Sequence, residues 1–138
     1  MATRCFIAYY DEQTETYTDV YSHWDGYPSW VGKILYHNYN TLEKVKELIS
    51  HGDISSLGAK IEASTDNHKF MQPDDDTTVF YHRDRGDKWN ETEPHTHTEM
   101  STLRHDNYAY LFKDGKWLYW WDNTRVYKEL TEEIINRD

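Results

Sequence analysis

The chain has 138 residues, enough for one domain around one core and short for two. Its 15 Lys and Arg stand against 25 Asp and Glu, a net charge of −10, which argues against generic nucleic-acid binding and against attraction to anionic lipid. Hydrophobic residues make up 37% and aromatics 16%, with 12 Tyr and 6 Trp, so the expected core uses amphipathic rings whose polar tips reach water or a ligand.

Cys5 is the only cysteine, which excludes an internal disulfide and a thiolate metal cage and fits a reducing cytoplasm. In strand context and without an adjacent base, it reads as a small buried hydrophobe. No apolar run of signal-peptide length precedes Asp11 and no stretch reaches the length of a membrane helix, so no membrane association is expected and the mature protein is expected to be the whole chain.

Cys5 to Tyr10 and Thr16 to His23 alternate as hairpin strands across the polar Asp11 to Glu15 loop. Asp25-Gly26 ends the second strand, and Pro28 suits the first position of a helix running to about His37, with Trp30, Val31, Ile34 and Leu35 at helical spacing. Asn40 or Thr41 caps a second helix whose stripe is Leu42, Val45, Leu48 and Ile49, stopped at Gly52. Asp53 to Gly58 reads as a single capped turn. Ala59 to Ala63 and Thr77 to Asp84 read as strands, the latter leaving at Arg85-Gly86. Residues 87–106 have little apolar content and are expected to form a mobile loop or lid. Asn107 to Lys113 and Lys116 to Trp121 flank Asp114-Gly115, the strongest hairpin signal, with Tyr108, Tyr110 and Phe112 on one face. Val126, Leu130, Ile134 and Ile135 suggest a C-terminal helix starting between Thr124 and Thr131. Together these elements predict a single α+β domain over 1–138, a mainly antiparallel sheet of about five or six strands with two or three helices on one face.

Two segments concentrate chemistry. Tyr21-Ser22-His23-Trp24-Asp25-Gly26-Tyr27-Pro28 and Tyr81-His82-Arg83-Asp84-Arg85-Gly86 each bring a His, an Asp and large aromatics to a strand exit at a glycine, as though they were halves of one site. In extended backbone His23 and Asp25 share a facing, as do His82 and Asp84. If the exits lie side by side, two imidazoles and two carboxylates converge for proton transfer or a divalent metal. The competing reading makes Asp25 a helix cap oriented by His23, with the second pair serving its own turn. On the opposite parity, Arg83 and Arg85 beside Tyr81 or Trp24 suit bidentate capture of a phosphate or carboxylate with a ring stacked on a base. Against this stands a pair of surface arginines that only balance Asp84, Asp87 and Asp74 to Asp76. The expected ligand-binding residues are His23, Trp24, Asp25, Tyr27, Tyr81, His82, Arg83 and Arg85, with no catalytic residue assigned.

His-Arg-Asp lacks the Gly-rich loop, strand lysine and Asp-Phe-Gly element of a kinase, and Ser elbows and phosphate-cradling loops are absent. His95, His97 and Glu99 alternate onto one face with His105 nearby, but two-histidine spacing is weakly specific; no metal and no cofactor are expected.

The segments His23 to Gly32, Gly52 to Gly58 and Tyr81 to Gly86 resemble, in order and across most of residues 17–121, a family of small uncharacterised proteins of bacteriophages and prophages. That resemblance implies an accessory protein in the host bacterial cytoplasm. It implies a protein that modifies host physiology or blocks an antiviral system; the aromatic and arginine-bearing segments make the first expectation a nonenzymatic antagonist that acts by binding, with an anionic nucleotide-like signal as the first partner. One alternative is an acidic protein inhibitor of a host nucleic-acid-binding defence enzyme. Another is a metal-assisted hydrolase using the His-x-Asp pairs. The oligomeric state is left open.

Overall fold

A computed structural model describes residues 2–137. Alternation at period two builds the centre of the sheet: β1 (Cys5–Asp11) and β2 (Thr16–Ser22) pair antiparallel, Ile7 opposite Val20 and Ala8 opposite Asp19. On the far side β1 pairs parallel with β6 (Tyr108–Lys113), which turns at Asp114-Gly115 into β7 (Lys116–Trp121). The spatial order is β4 (Val79–Phe80), β3 (Ile54–Ser56), β2, β1, β6, β7 and β8 (Tyr127–Glu129), with β5 (His95–His97) also pairing β2 antiparallel.

The fold is α+β and its sheet is mostly antiparallel, but mixed and larger than expected, with eight strands. The added strands, β3, β5 and β8, are three residues long, too short for alternation to register. They are held by pairing to longer neighbours.

Pro28–Gly32 forms one wide helical turn that runs into α1 (Lys33–Asn38), followed by α2 (Leu42–Ile49), where Thr41 Oγ1 accepts from the Lys44 N–H. Leu35, Val45, Leu48 and Ile49 pack with Cys5, Ile7, Val20, Tyr110 and Phe112 in the main core. Gly26 is required by close approach, since a Cβ there would sit 2.8 Å from the Thr3 carbonyl oxygen, and the Tyr110 hydroxyl donates to the Gly26 carbonyl at 2.7 Å.

Four expectations are corrected. Asp53 to Gly58 contributes β3 rather than a lone capped turn. Ala59 to Ala63 is no strand; only Lys60 bridges to Thr77. Thr77 to Asp84 is extended only at β4, after which Tyr81–Arg85 coils into α3, closed by Gly86 at φ 83°, a left-handed cap that glycine favours. The C-terminal pattern splits: Val126 is exposed, Tyr127–Glu129 is β8, and only Glu132–Ile135 is helical, forming α5 capped by Thr131 Oγ1.

Residues 87–106, expected as a loop, carry α4 (Trp89–Thr92), β5 and a tight turn at Met100–Thr102. They cover the second face of the sheet, where Leu103 joins Ala8, Tyr17 and Leu111. Polar anchors take the place of the missing apolar content. The fully buried Asp19 carboxylate accepts from the Arg104 N–H at 3.0 Å and from Arg104 Nε and Nη2 at 3.0 and 2.7 Å. His97 Nε2 lies 3.1 Å from Oδ2, the oxygen that accepts the Arg104 N–H.

Candidate functional site

The two motif segments meet at one edge of the sheet, but through different local structures. After β2 the backbone stays extended, the His23 and Trp24 N–H groups donating to Ile54 and Ser55 carbonyls at 3.1 Å. It then turns at Asp25, whose φ of 56° is left-handed, a conformation Asp tolerates better than most residues. After β4 the chain becomes α3. There Asp84 Oδ2 folds back to accept the Phe80 N–H at 2.8 Å, which satisfies a donor that the helix start would otherwise leave unpaired.

Helical geometry breaks the parity read from the sequence. His82 and Asp84 do not share a facing, and Arg83 and Arg85 diverge, because successive helical residues are rotated by about 100° rather than 180°. Arg83 turns inward: it donates to the Ile61 and Thr78 carbonyls at 2.8 and 2.9 Å and to both oxygens of Asp84. His68 completes this cluster, with Nε2 3.4 Å from Asp84 and Nδ1 accepting the Asp74 N–H; the His68 and Asp84 side chains are 6% and 7% exposed. Burial opposes ionisation of Asp84, yet the Arg83 side chain and the Phe80 N–H hold its carboxyl below the ordinary range. The two-arginine clamp is therefore not assembled.

Arg85 turns outward. Its guanidinium lies 4.8 Å from the Tyr81 ring centre and 4.9 Å from that of Phe70, and Nε and Nη2 donate to the two Asp87 oxygens at 2.8 Å. Together with His23, Trp24 and Tyr81 it lines a concavity of about 420 Å³, whose other walls are Ser55, Ser56, Phe70, Met71, Pro73 and Val79. His23 Nδ1 shares a 2.6 Å hydrogen bond with the Tyr21 hydroxyl, and its ring meets Trp24 edge-on at 4.6 Å. Burial, reinforced by Arg4, lowers the His23 pKa.

Half of the expected residues thus reach one concavity and half do not. Asp25 lines an adjoining hollow of about 540 Å³ with Trp30, Lys33 and Asp74 to Asp76. Its side chain does not cap the following helix, although its carbonyl accepts the Val31 N–H at 3.2 Å. Tyr27 donates to Asp25 at 3.3 Å, His82 Nδ1 lies 2.7 Å from the Asp87 carbonyl oxygen, and Tyr27, His82 and Arg83 line neither hollow. The two His-x-Asp pairs consequently do not converge. Sequence reasoning missed Phe70, Met71 and Pro73 as walls; the isolated Phe70-Met71 pair within a polar connection was the available signal.

The histidines of the 87–106 segment are dispersed as well. His97 Nε2 lies beside the Asp19 carboxylate without a hydrogen bond to it, and its Nδ1 is 3.1 Å from Thr102 Oγ1. His105 stacks on Trp120 at 4.1 Å and 18°, its pKa lowered by burial and then by Arg125. Among the described residues no group of three or more His, Cys, Asp or Glu side chains is placed to hold a metal ion, and no helix is long and apolar enough to cross a membrane. Comparison of the chain with protein-family models, curated proteins and solved structures finds no match.

Proposed function

We propose that this chain is a nonenzymatic binding protein of the bacteriophage kind its sequence resembles, which antagonises a bacterial host or antiviral defence function by sequestering a nucleotide-like signal in the host cytoplasm. The observation that carries this reading is the joining of Trp24, Tyr81 and the Arg85 guanidinium around one concavity of about 420 Å³, within the range of about 300–1,000 Å³ usual for small-molecule sites. Trp24, Tyr81 and Phe70 line its walls, and stacking of a base on an aromatic ring is worth about 1–3 kcal/mol elsewhere. Arg85 retains Nη1, which makes no hydrogen bond among the described residues, and Ser55 and Ser56 lie on the same walls. With Asp87 already holding two guanidinium nitrogens, the anionic part of the ligand engages one arginine edge, and stacking supplies much of the recognition. Bond cleavage requires an activated water and groups aimed at developing charge, whereas the two His-x-Asp pairs point to different surroundings.

The test is titration of the purified chain with a panel of mono-, di- and cyclic nucleotides, with product analysis after incubation. Binding of a nucleotide that is recovered unchanged after denaturation is expected, weakened about tenfold or more by Trp24→Ala or Arg85→Ala. Conversion of a bound nucleotide by catalytic amounts of protein, abolished by His23→Ala, would replace this reading with a hydrolase. Absence of binding across the panel would remove the nucleotide ligand.

A further inference from the structure

Six large hydrophobic side chains stand exposed among the described residues, and three of them, Trp24 at 45%, Trp30 at 50% and Met71 at 84%, lie on one continuous face. Trp24 and Met71 belong to the 420 Å³ concavity and Trp30 to the adjoining 540 Å³ one, and the two share Ser56 and Pro73 as a common wall. Tryptophan and methionine kept in water at a surface are characteristic of recognition patches, where aromatic anchors carry most of the binding energy. Trp30 has no role in the core: in the turn that contains it, Pro28, Val31 and Gly32 take the buried positions.

The charge is uneven across this face: Arg85, paired with Asp87, stands at the first concavity, and the second is predominantly acidic. Asp25, Asp74, Asp75 and Asp76 line the second concavity with Lys33 as the one cation among its lining residues. Asp74 is engaged by the Thr65 N–H and hydroxyl, whereas the exposed carboxylates of Asp75 and Asp76 enter no hydrogen bond or ion pair among the described residues. Nucleic acid and anionic lipid would be repelled by such a rim. A second copy of this chain, meeting the same face and carrying its own net charge of −10, would be repelled too, because a two-fold contact sets like charges against each other.

We propose that this face, anchored by Trp24, Trp30 and Met71 and rimmed by Asp75 and Asp76, docks a basic protein partner. The surface it fits presents lysine or arginine beside a protruding aromatic or aliphatic side chain. The apolar group seats against the tryptophans while its cationic neighbours face the aspartates. This inference does not rest on the nucleotide reading.

The test is selection of a random-peptide library on the full chain, followed by affinity measurement of the enriched peptides on variants. The enriched peptides are expected to carry Lys or Arg next to an aromatic or aliphatic residue, and to bind about tenfold or more weakly to Trp30→Ala and to the Asp75→Lys, Asp76→Lys double variant. Affinity falls with added salt, while a Glu12→Lys, Glu43→Lys double variant at the hairpin-turn end keeps it. Circular dichroism and a denaturation midpoint establish that each variant is folded; the substituted aspartates are exposed, so the double variant remains informative if Trp30→Ala loses structure. Failure to enrich peptides, enrichment of acidic or uncharged sequences, or equal binding to wild type and the aspartate variant would overturn the proposal.

Discussion

The exits from β2 and β4 carry the same His-x-Asp spacing and fold differently. At the first, His23 and Trp24 continue the sheet's hydrogen bonding and the chain turns only at Asp25. At the second, Tyr81–Arg85 is helical, Asp84 is drawn back to the Phe80 N–H, and the half-buried Arg83 donates to two carbonyls. Identical spacing therefore separates histidine from aspartate by two routes: a left-handed turn at Asp25 puts it in the hollow next to that of His23, and the helical turn of α3 carries Asp84 away from His82 and back to the Phe80 N–H. The consequence is a division of labour between two arginines. Arg83 holds the connection from Ile61 to Thr78 against α3, and Arg85 is left at the rim of the concavity.

The largest expected effect lies outside both exits and checks that the sheet carrying them is anchored as described. Asp19→Ala removes the buried acceptor of Arg104 and leaves that guanidinium without its partner, an arrangement that costs about 3–5 kcal/mol when one side of a buried pair is deleted. Urea denaturation should show a lower midpoint of that size; a shift below about 1 kcal/mol would mean that residues 87–106 are not fastened through this pair. Next in size is Arg83→Ala, expected to cost about 1.5–3 kcal/mol of stability through lost charged hydrogen bonds. Arg85→Ala, at an exposed position, should leave the denaturation midpoint nearly unchanged while weakening ligand. The two arginines exchanging these phenotypes would break the comparison.

A smaller effect is pH dependence. Burial lowers the pKa of His23, His51 and His105 below the ordinary 6.5, so their neutral forms are favoured in the folded chain while the unfolded chain takes up protons near the ordinary value. Their contribution to stability is present above about 6.5 and is lost as pH falls through the lowered folded values. Denaturation midpoints should decline on acidification from pH 7 to 5, and His105→Phe, which keeps a ring against Trp120, should make that decline shallower. An unchanged slope would mean that His105 is protonated as readily in the folded protein as in the unfolded chain.

The sequence was legible where periodicity ran long enough. The β1–β2 alternation, the Val45, Leu48 and Ile49 stripe behind Thr41, and the Asp114-Gly115 hairpin all formed as their patterns predict. Three-residue strands such as Ile54–Ser56 carry no period of their own and exist because a neighbouring strand offers partners. In the site, the meeting of His23 and Trp24 with Tyr81 and Arg85 was anticipated from similar strand exits. The retreat of Arg83 and His82 followed from the helical turn of α3 and the distant Ile61 carbonyl, and that of Asp25 from its left-handed backbone, none of which spacing reveals. Asp19 was unremarked for a related reason: an acidic residue in an alternating strand reads as solvent-facing until a distant arginine is known to cover it.

The central claim is that the concavity binds and retains a ligand without changing it. Native mass spectrometry of the protein recovered gently from bacteria that express it, beside the Arg85→Ala variant, tests this most directly. The wild type is expected to carry a nucleotide-sized mass, released intact by denaturation and depleted in the variant. The same mass retained equally by both proteins, or a released species that the purified protein goes on to convert, would contradict it.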